Sequence, residues 1–273
     1  MTDWAGLSLD RPRIMGILNL TPDSFSDGGA YPDVVTAIAA GRAMAESGAD
    51  IVDVGGESTR PGAEPVSSEE ERRRVLPVID ALARAGVLVS IDTRHAATME
   101  AALDAGAGIV NDVSALAHDP AAAPLLARRD CAVILMHMRG DPATMQSLAT
   151  YEDVSREVTR ELAERVAVAE QAGIVRTRLA IDPGFGFAKR SAHSLALLRG
   201  LASLTTLRLP IVVGVSRKGF IGQVTGVADP RGREAASLAA GLFALSQGAA
   251  ILRVHNVLET YHALQMSKVL MTP

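Results

Sequence analysis

Four polar residues that could bind a ligand each follow an apolar segment of the chain. They are Asp92, Asn111, Asp182 and Lys218. Two carboxylates, a carboxamide and an ammonium group offer both hydrogen-bond acceptors and donors. Because such groups are costly to bury unless a partner satisfies them, they favour a polar heterocyclic ligand, and a fused pyrimidine with amino, ring N–H and carbonyl groups would fit. The alternative is a purely structural layer of salt bridges across one end of the fold.

Arg253 and His255 form a second candidate site. They lie two residues apart at the end of the apolar segment 251–254, so in an extended strand their side chains point to the same side. A cation beside an imidazole is suited to an anion such as phosphate or pyrophosphate. The alternative is that Arg253 pairs with a structural carboxylate and His255 is a hydrogen-bonded core residue. Asn19 ends the first apolar segment and offers an oxygen suited to Mg²⁺, although a lone asparagine is more often a turn residue.

The segment 182–187, with the sequence DPGFGF, combines a carboxylate with two glycines and an aromatic residue. The glycines allow the backbone to approach a ligand closely, and Phe187 offers an apolar wall. Ser216 stands two residues before Lys218, but no general base flanks it, so a covalent serine mechanism is not expected. His137 also ends an apolar segment and could equally be structural.

Eight short apolar segments recur along the chain, and segments of helical character separate them. The apolar segments are residues 14–18, 51–54, 87–91, 109–110, 132–136, 179–181, 211–215 and 251–254. Nearly continuous Val, Ile and Leu between helices indicates a parallel sheet covered on both faces. The sequence therefore predicts one α/β domain over residues 1–273, a (β/α)₈ TIM barrel with its core at about 13–270, rather than an open sheet.

Three long connections are predicted to lie at the carboxyl face of this barrel, where barrel enzymes keep their active sites. They follow strands 1, 2 and 5 at residues 21–31, 55–66 and 138–151, and their Gly, Pro, Asp and Ser content is typical of lids. Helices are predicted at 152–172, from about 67 with Ser67 and Glu70 as a capping box, and from about 120 with Asp119 as the N-cap.

Composition excludes several classes of partner. The net charge is −4 and aromatic residues make up 3% of the 273 residues, which argues against nucleic-acid binding. Cys131 is the only cysteine, so an intramolecular disulfide is impossible. No apolar run approaches the roughly 18 residues of a membrane-spanning helix, and the amino terminus is polar and acidic. These features predict a cytoplasmic protein with no membrane partner.

Two long motifs resemble a known family. The segment 15–29, MGILNLTPDSFSDGG, closely resembles the first signature of the dihydropteroate synthases, which are pterin-binding enzymes, and the segment 53–62, DVGGESTRPG, resembles the second. The segments 135–142, 182–187, 216–218 and 253–255 are also similar to that family, in the same order. The resemblance extends over roughly residues 13–270.

The resemblance implies a transferase that joins 7,8-dihydropterin (hydroxymethyl) pyrophosphate to 4-aminobenzoate, with Mg²⁺ as cofactor and a homodimer as the assembly. It implies that the pterin contacts Asp92, Asn111, Met136, Asp182 and Lys218. It places pyrophosphate at Asn19, Thr59, Arg253 and His255, with Asn19 also at the metal. It places 4-aminobenzoate at Arg60, Phe187, Ser216 and Lys218, with Thr59 nearby. Asp92, Asp182, Lys218, Arg253 and His255 are the implied catalytic residues.

Two positions depart from the family pattern. Asn256 stands where aspartate is frequent, which could alter the orientation of His255, and Gly219 stands where a larger residue is common. Two other functions stay open at this point. One is a pterin-dependent methyltransferase of similar fold, which would have no reason to retain Asn19, Arg253 and His255. The other is a relative that binds pterin without turnover.

Overall fold

Eight parallel strands form the centre of the molecule. The structure is a computed structural model that describes residues 3–21, 34–58 and 66–271. The strands are β1 (Arg13–Asn19), β2 (Ile51–Gly55), β3 (Val89–Asp92), β4 (Ile109–Asp112), β5 (Ala132–Met136), β6 (Leu179–Asp182), β7 (Val212–Val213) and β8 (Ile251–Val254). All eight coincide with predicted apolar segments, and β1, β3 and β6 extend one residue further, to the polar residue that follows.

The strands pair in the order β6-β5-β4-β3-β2-β1-β8-β7. The last gap, between β6 and β7, is bridged by a parallel contact of Ile181 with Ile211 and by a hydrogen bond from the Ile181 amide to the Pro210 carbonyl at 2.9 Å. The sheet therefore curls into a barrel, and the predicted (β/α)₈ TIM barrel is confirmed. Because all strands are parallel, their carboxyl ends lie at one mouth.

Helices connect the strands and cover the outside of the barrel. They are α1 (Val34–Glu46), α2 (Ser68–Arg84), α3 (Ala96–Asp104), α4 (Ala122–Ala127), α5 (Val154–Gln171), α6 (Ser191–Arg199), α7 (Gly219–Thr225), α8 (Glu234–Ser246) and α9 (Val257–Met271). The larger apolar core lies between strands and helices. A smaller one fills the barrel near its amino end, where Trp4 is buried and donates from its indole nitrogen to the Arg178 carbonyl at 3.1 Å.

The predicted helix starts differ in accuracy. Ser67 caps α2 and accepts a hydrogen bond from the Glu70 amide at 3.2 Å, which is one half of the predicted capping box. The Glu70 carboxylate does not complete the box, because it accepts from Arg73 and Arg74, each at 2.7 Å. The start predicted at about 120 is wrong by two residues, because α4 begins at Ala122. The Asp119 carboxylate instead accepts from the Ala121 amide at 2.9 Å and from the first amide of α3, Ala96, at 2.8 Å. Asp119 therefore joins two helix starts rather than capping one.

The predicted long loops are described unequally. Residues 22–31 of the first and residues 59–65 of the second lie outside the described residues. The third, after β5, is anchored to α5: Arg139 donates to the Glu157 carboxylate at 2.8 Å and to the Thr150 carbonyl at 2.6 Å. Over residues 3–21, 34–58 and 66–271, no helix has the length and apolarity needed to cross a membrane.

Candidate active site

A largely buried arginine between two aspartates lies at the centre of the barrel mouth. Arg253, on β8, donates from Nε to Asp53 Oδ2 on β2 and from Nη2 to Asp92 Oδ2 on β3, both at 2.7 Å. The Asn111 carboxamide on β4 donates to the same oxygen of Asp53 at 3.2 Å. Three of these residues were predicted to lie at the site, whereas Asp53 was not. The geometry shows Arg253 paired with carboxylates, one of the two alternatives that the sequence left open.

The charges at this centre perturb one another. Burial opposes the charge of Arg253, but the carboxylates of Asp53 and Asp92 outweigh burial and hold the Arg253 pKa above its ordinary value. Burial raises the pKa of Asp92 above its ordinary value, although Arg253 partly offsets that effect. Asp53 Oδ1 and Asp92 Oδ1 are buried without a hydrogen-bond partner among the described residues. Such atoms are costly unless a proton or a ligand donor satisfies them, so this centre is suited to bind N–H groups.

Asp182 is held at the end of β6 by its own backbone. Its Oδ1 accepts from the Gly184 amide at 2.7 Å, and it lies opposite Met136 of β5 in the strand register. Gly184 has φ +68°, and a Cβ at this position would lie 2.0 Å from the His137 carbonyl oxygen. Only glycine fits there, so the DPG sequence seats Asp182 tightly against the end of β5. Burial raises the pKa of Asp182.

An aromatic ring and a lysine form the other side of the mouth. Lys218 Nζ lies 4.5 Å from the centroid of the Phe187 ring, and the Lys218 stem passes close to Gly186. Ser216 Oγ lies 3.0 Å from His255 Nδ1 and accepts from the His255 amide at 3.3 Å. The structure therefore joins the ends of β7 and β8 through Ser216 and His255.

Two side-chain oxygens lie close to Gly55 at the mouth. Asn19 ends β1 opposite Gly55, and a Cβ at Gly55 would lie 3.6 Å from Asn19 Oδ1 and 3.8 Å from Asp92 Oδ2. Within the described ranges, no cluster of three or more His, Cys, Asp or Glu side chains forms a preassembled metal site. These residues fit Mg²⁺ held by few protein oxygens, with water and ligand phosphate supplying the rest.

The two departures from the family pattern have different surroundings. Asn256 accepts from Arg217 Nη2 at 2.7 Å, so its contact is with Arg217, whereas the contact of His255 is with Ser216. A side chain at Gly219 would meet no heavy atom of the described residues within 4 Å. Of the predicted site residues, Thr59 and Arg60 lie outside the described residues.

Sequence reasoning missed two buried charged residues, Asp53 and Lys189. Asp53 is fully buried and was hidden inside an apolar strand, although a carboxylate within the run IVDVG is itself a signal. Lys189 is 3% exposed and contacts His137. The sequence feature that could have drawn attention to Lys189 is the rarity of lysine. Only three of the 27 basic residues are lysines, at positions 189, 218 and 268.

Known proteins of similar sequence and structure share one activity. The family model described as "Pterin binding enzyme" matches residues 15–255. The dihydropteroate synthase of Escherichia coli strain K12 is 47% identical over 261 residues, covering 95% of this chain and 92% of that protein. The dihydropteroate synthase of Neisseria meningitidis serogroup C is 49% identical over 263 residues, covering 95% of this chain and 93% of that protein.

Solved structures agree with these relatives. The Xanthomonas albilineans dihydropteroate synthase with 4-aminobenzoic acid superposes with a TM-score of 0.93 at 48% identity, covering 98% of this chain and 97% of that one. The same enzyme in complex with 7,8-dihydropteroate gives a TM-score of 0.89 at 46% identity, covering 98% of this chain and 96% of that one. With the family model and near full-length identity in agreement, the chain belongs to the dihydropteroate synthases of the pterin-binding enzyme family.

Proposed function

We propose that this chain condenses 7,8-dihydropterin (hydroxymethyl) pyrophosphate with 4-aminobenzoate, giving 7,8-dihydropteroate and pyrophosphate in folate biosynthesis. The observation that carries the proposal is the buried centre of Asp53, Asp92, Asn111 and Arg253, with two carboxylate oxygens that lack a partner among the described residues. A heterocycle rich in N–H groups would satisfy those oxygens. Near full-length identity with dihydropteroate synthases supports the same reaction.

The pterin would bind between Asp92, Asn111 and Asp182, with Met136 and Lys218 beside it. The pKa values of both aspartates are raised by burial, and donors on a bound ring would reverse that shift by stabilising the charged carboxylates. The reacting methylene carbon becomes electron-poor as the leaving group departs. Two carboxylates near the ring would stabilise that positive charge more strongly in the transition state than in the bound substrate.

The pyrophosphate would bind at Arg253 and His255, with Asn19 and Thr59 nearby. The two aspartate bonds of Arg253 use two of its five N–H donors, so the guanidinium keeps donors for an anion while the carboxylates fix its orientation. Mg²⁺, when bound beside Asn19, would offset negative charge on the leaving diphosphate. Arg253 and His255 would stabilise the same charge as the carbon–oxygen bond breaks.

The 4-aminobenzoate would stack against Phe187, with Lys218, Ser216 and Arg60 around its carboxylate. Lys218 lies over the Phe187 ring and so places a positive charge beside the apolar wall. Pyrophosphate would leave first with the electron pair of the carbon–oxygen bond. The aniline nitrogen would then form a bond to the electron-poor methylene carbon and lose a proton. An aniline is weakly basic and loses that proton readily, so the reaction needs no strong general base.

The assembly and the domain boundaries are part of the same proposal. We infer one catalytic domain over residues 1–273 that acts as a homodimer. Large apolar side chains that are exposed on α8 and α9 support a subunit contact on that face; they are Phe243, Leu258, Met266, Val269 and Leu270.

A pyrophosphate-release assay tests the reaction. Purified protein supplied with the dihydropterin pyrophosphate should release pyrophosphate only when both 4-aminobenzoate and Mg²⁺ are present. Circular dichroism on the same sample would establish that the protein is folded.

The assay also separates the alternatives. Folded protein that binds the pterin but releases no pyrophosphate would indicate a binding protein without turnover. Weak pyrophosphate binding together with tight methylfolate binding would indicate a pterin-dependent methyltransferase.

A further inference from the structure

A buried lysine connects the end of β5 with the segment that follows β6. Lys189 Nζ lies 2.8 Å from His137 Nδ1 and donates to the Phe187 carbonyl oxygen at 3.0 Å. Both side chains are almost inaccessible to solvent, with 3% of Lys189 and 4% of His137 exposed. An amine buried to this degree is costly, so its retention needs a reason other than packing.

The proton positions in this cluster follow from its partners. His137 Nε2 lies 2.9 Å from Glu161 Oε2 on α5. Burial opposes the charge of Glu161, but hydrogen bonds from His137 and Arg139 outweigh it and hold the Glu161 pKa below its ordinary value. A carboxylate only accepts hydrogen bonds, so Nε2 of His137 carries the proton and Nδ1 is left to accept from Lys189.

His137 itself is neutral, because burial and the neighbouring Lys189 lower its pKa to about 4. Burial also lowers the pKa of Lys189, to about 7. Both forms of the amine keep enough N–H groups to reach His137 and the Phe187 carbonyl, since the ammonium has three and the neutral amine two. The connection therefore does not depend on the charge of Lys189.

Asp182 and Phe187 lie on the same segment but are held differently. Asp182 is fixed by strand pairing with β5, by the Gly184 amide at 2.7 Å and by a bond from the His137 amide to its carbonyl at 2.9 Å. Phe187 lies five residues further on, outside any strand, and its carbonyl is a direct partner of Lys189. The Phe187 amide also donates to the Gly184 carbonyl at 3.1 Å. Loss of the Lys189 amine would thus remove one of the two main-chain hydrogen bonds of Phe187 and leave the backbone bonds of Asp182 in place.

Lysine is rare in this chain. Only three of the 27 basic residues are lysines, at 189, 218 and 268, and two of those three lie at this mouth. A guanidinium is planar and bulkier than an ammonium, which is a compact charge on a flexible stem. An ammonium therefore suits the short span between an imidazole nitrogen and a carbonyl oxygen.

We propose that Lys189, supported by His137, is a positioning residue that fixes Phe187 and so shapes the 4-aminobenzoate side of the site more than the pterin side. This inference rests on the proposed function. Lys189 holds the Phe187 main chain through its carbonyl oxygen. His137 holds Lys189, and Glu161 on α5 in turn holds His137.

The test compares KM for the two substrates in Lys189→Met. Methionine keeps the apolar stem and removes the amine. Misplacing one wall of the site is expected to raise KM for 4-aminobenzoate about tenfold, with KM for the pterin pyrophosphate changed less than about twofold. The matched control is Lys268→Met, which removes the same group from an exposed position on α9 and should leave both KM values unchanged.

Two substitutions at His137 test the supporting contact. In His137→Asn the amide oxygen can replace Nδ1 as the acceptor for Lys189, so KM for 4-aminobenzoate should stay near that of the wild type. His137→Gln places its amide nearer the Nε2 position, so it should raise KM for 4-aminobenzoate as Lys189→Met does. Thermal melting of each variant establishes that it is folded.

Several results would overturn the inference. Unchanged KM for 4-aminobenzoate in folded Lys189→Met would do so, and so would an equal rise in both KM values or a fall in kcat alone. Wild-type protein that fails to release pyrophosphate would instead contradict the proposed function, so the two failures are distinguishable.

Discussion

Carboxylates at the two ends of the barrel differ in how completely their oxygens are hydrogen-bonded. At the amino end, Asp50 accepts from Arg11 at 2.5 and 3.2 Å, from Arg13 at 3.0 Å and from the Ile14 amide at 2.9 Å, so both of its oxygens are paired. At the carboxyl end, Asp53 and Asp92 each keep a buried oxygen without a partner among the described residues. These aspartates lie on or beside neighbouring strands of one sheet, yet only those at the mouth have unused binding capacity.

The comparison separates groups that stabilise the fold from groups that are reserved for a ligand. A fully paired buried charge contributes to stability, and removal of one partner leaves the other uncompensated. A buried carboxylate with an unused oxygen is costly in the free protein, and the ligand recovers that cost on binding. Asp50 should therefore matter for folding and Asp92 for ligand binding, although both side chains are largely buried.

The largest expected effect is on stability, in Asp50→Ala. The substitution leaves the largely buried Arg13 without its main partner, so the free energy of unfolding should fall by about 3 to 5 kcal/mol. Urea unfolding measures the loss. Because Asp50 lies at the end remote from the mouth, kcat/KM of the protein that remains folded should be unchanged, and a large fall would contradict the separation of roles.

The next largest effect is on activity, in Arg253→Ala and Asp182→Asn. Each removes one preorganised charge from the reacting centre, so each should lower kcat/KM by about 2 to 4 kcal/mol in transition-state stabilisation. Steady-state kinetics with both substrates measures the loss. Asp182→Asn keeps the acceptor for the Gly184 amide, so its unfolding free energy should be close to that of the wild type. Near-normal kcat/KM in both variants would show that the assigned roles are wrong.

The smallest effect concerns Glu71, a buried carboxyl group on α2 that bonds Thr93, the residue after the end of β3. Its Oε2 accepts from Thr93 at 2.8 Å, its Oε1 has no partner among the described residues, and burial raises its pKa from 4.5 to about 7. The folded protein therefore holds a proton that the unfolded chain releases. The contribution of Glu71 to the stability is greatest below pH 4.5, falls as the pH rises from 4.5 to about 7, and is constant above that range.

Glu71→Gln should abolish that dependence. The amide cannot ionise, so the variant should gain roughly 2 to 3 kcal/mol relative to the wild type between pH 4.5 and pH 7. Urea unfolding across this range checks the sign. If the unfolding free energies of Glu71→Gln and the wild type differed by the same amount at pH 4.5 and at pH 7, a proton would not be what satisfies the unpaired oxygen of Glu71.

Local features of the sequence predicted much of the fold and part of the candidate site. The eight apolar segments coincide with the eight strands because a buried parallel strand needs apolar residues on both faces. Ser67 was predicted as a cap because its hydroxyl acts on an amide three residues away. The Asp119 prediction was wrong because its carboxylate also bonds Ala96, a residue distant in sequence, and no local pattern reports such a contact.

The sequence alone determined which chemical groups stand at the strand ends, and its motifs identified the family, because both are properties of residue type and spacing. The tertiary structure decided how those groups are paired. It placed Arg253 between Asp53 and Asp92, 200 and 161 residues away in sequence, and set Lys189 between His137 and Phe187. Barrel closure brings distant strand ends to one mouth, so distances between them cannot be read from spacing along the chain. Which carboxylate is satisfied and which is left for a ligand is therefore a property of the folded barrel.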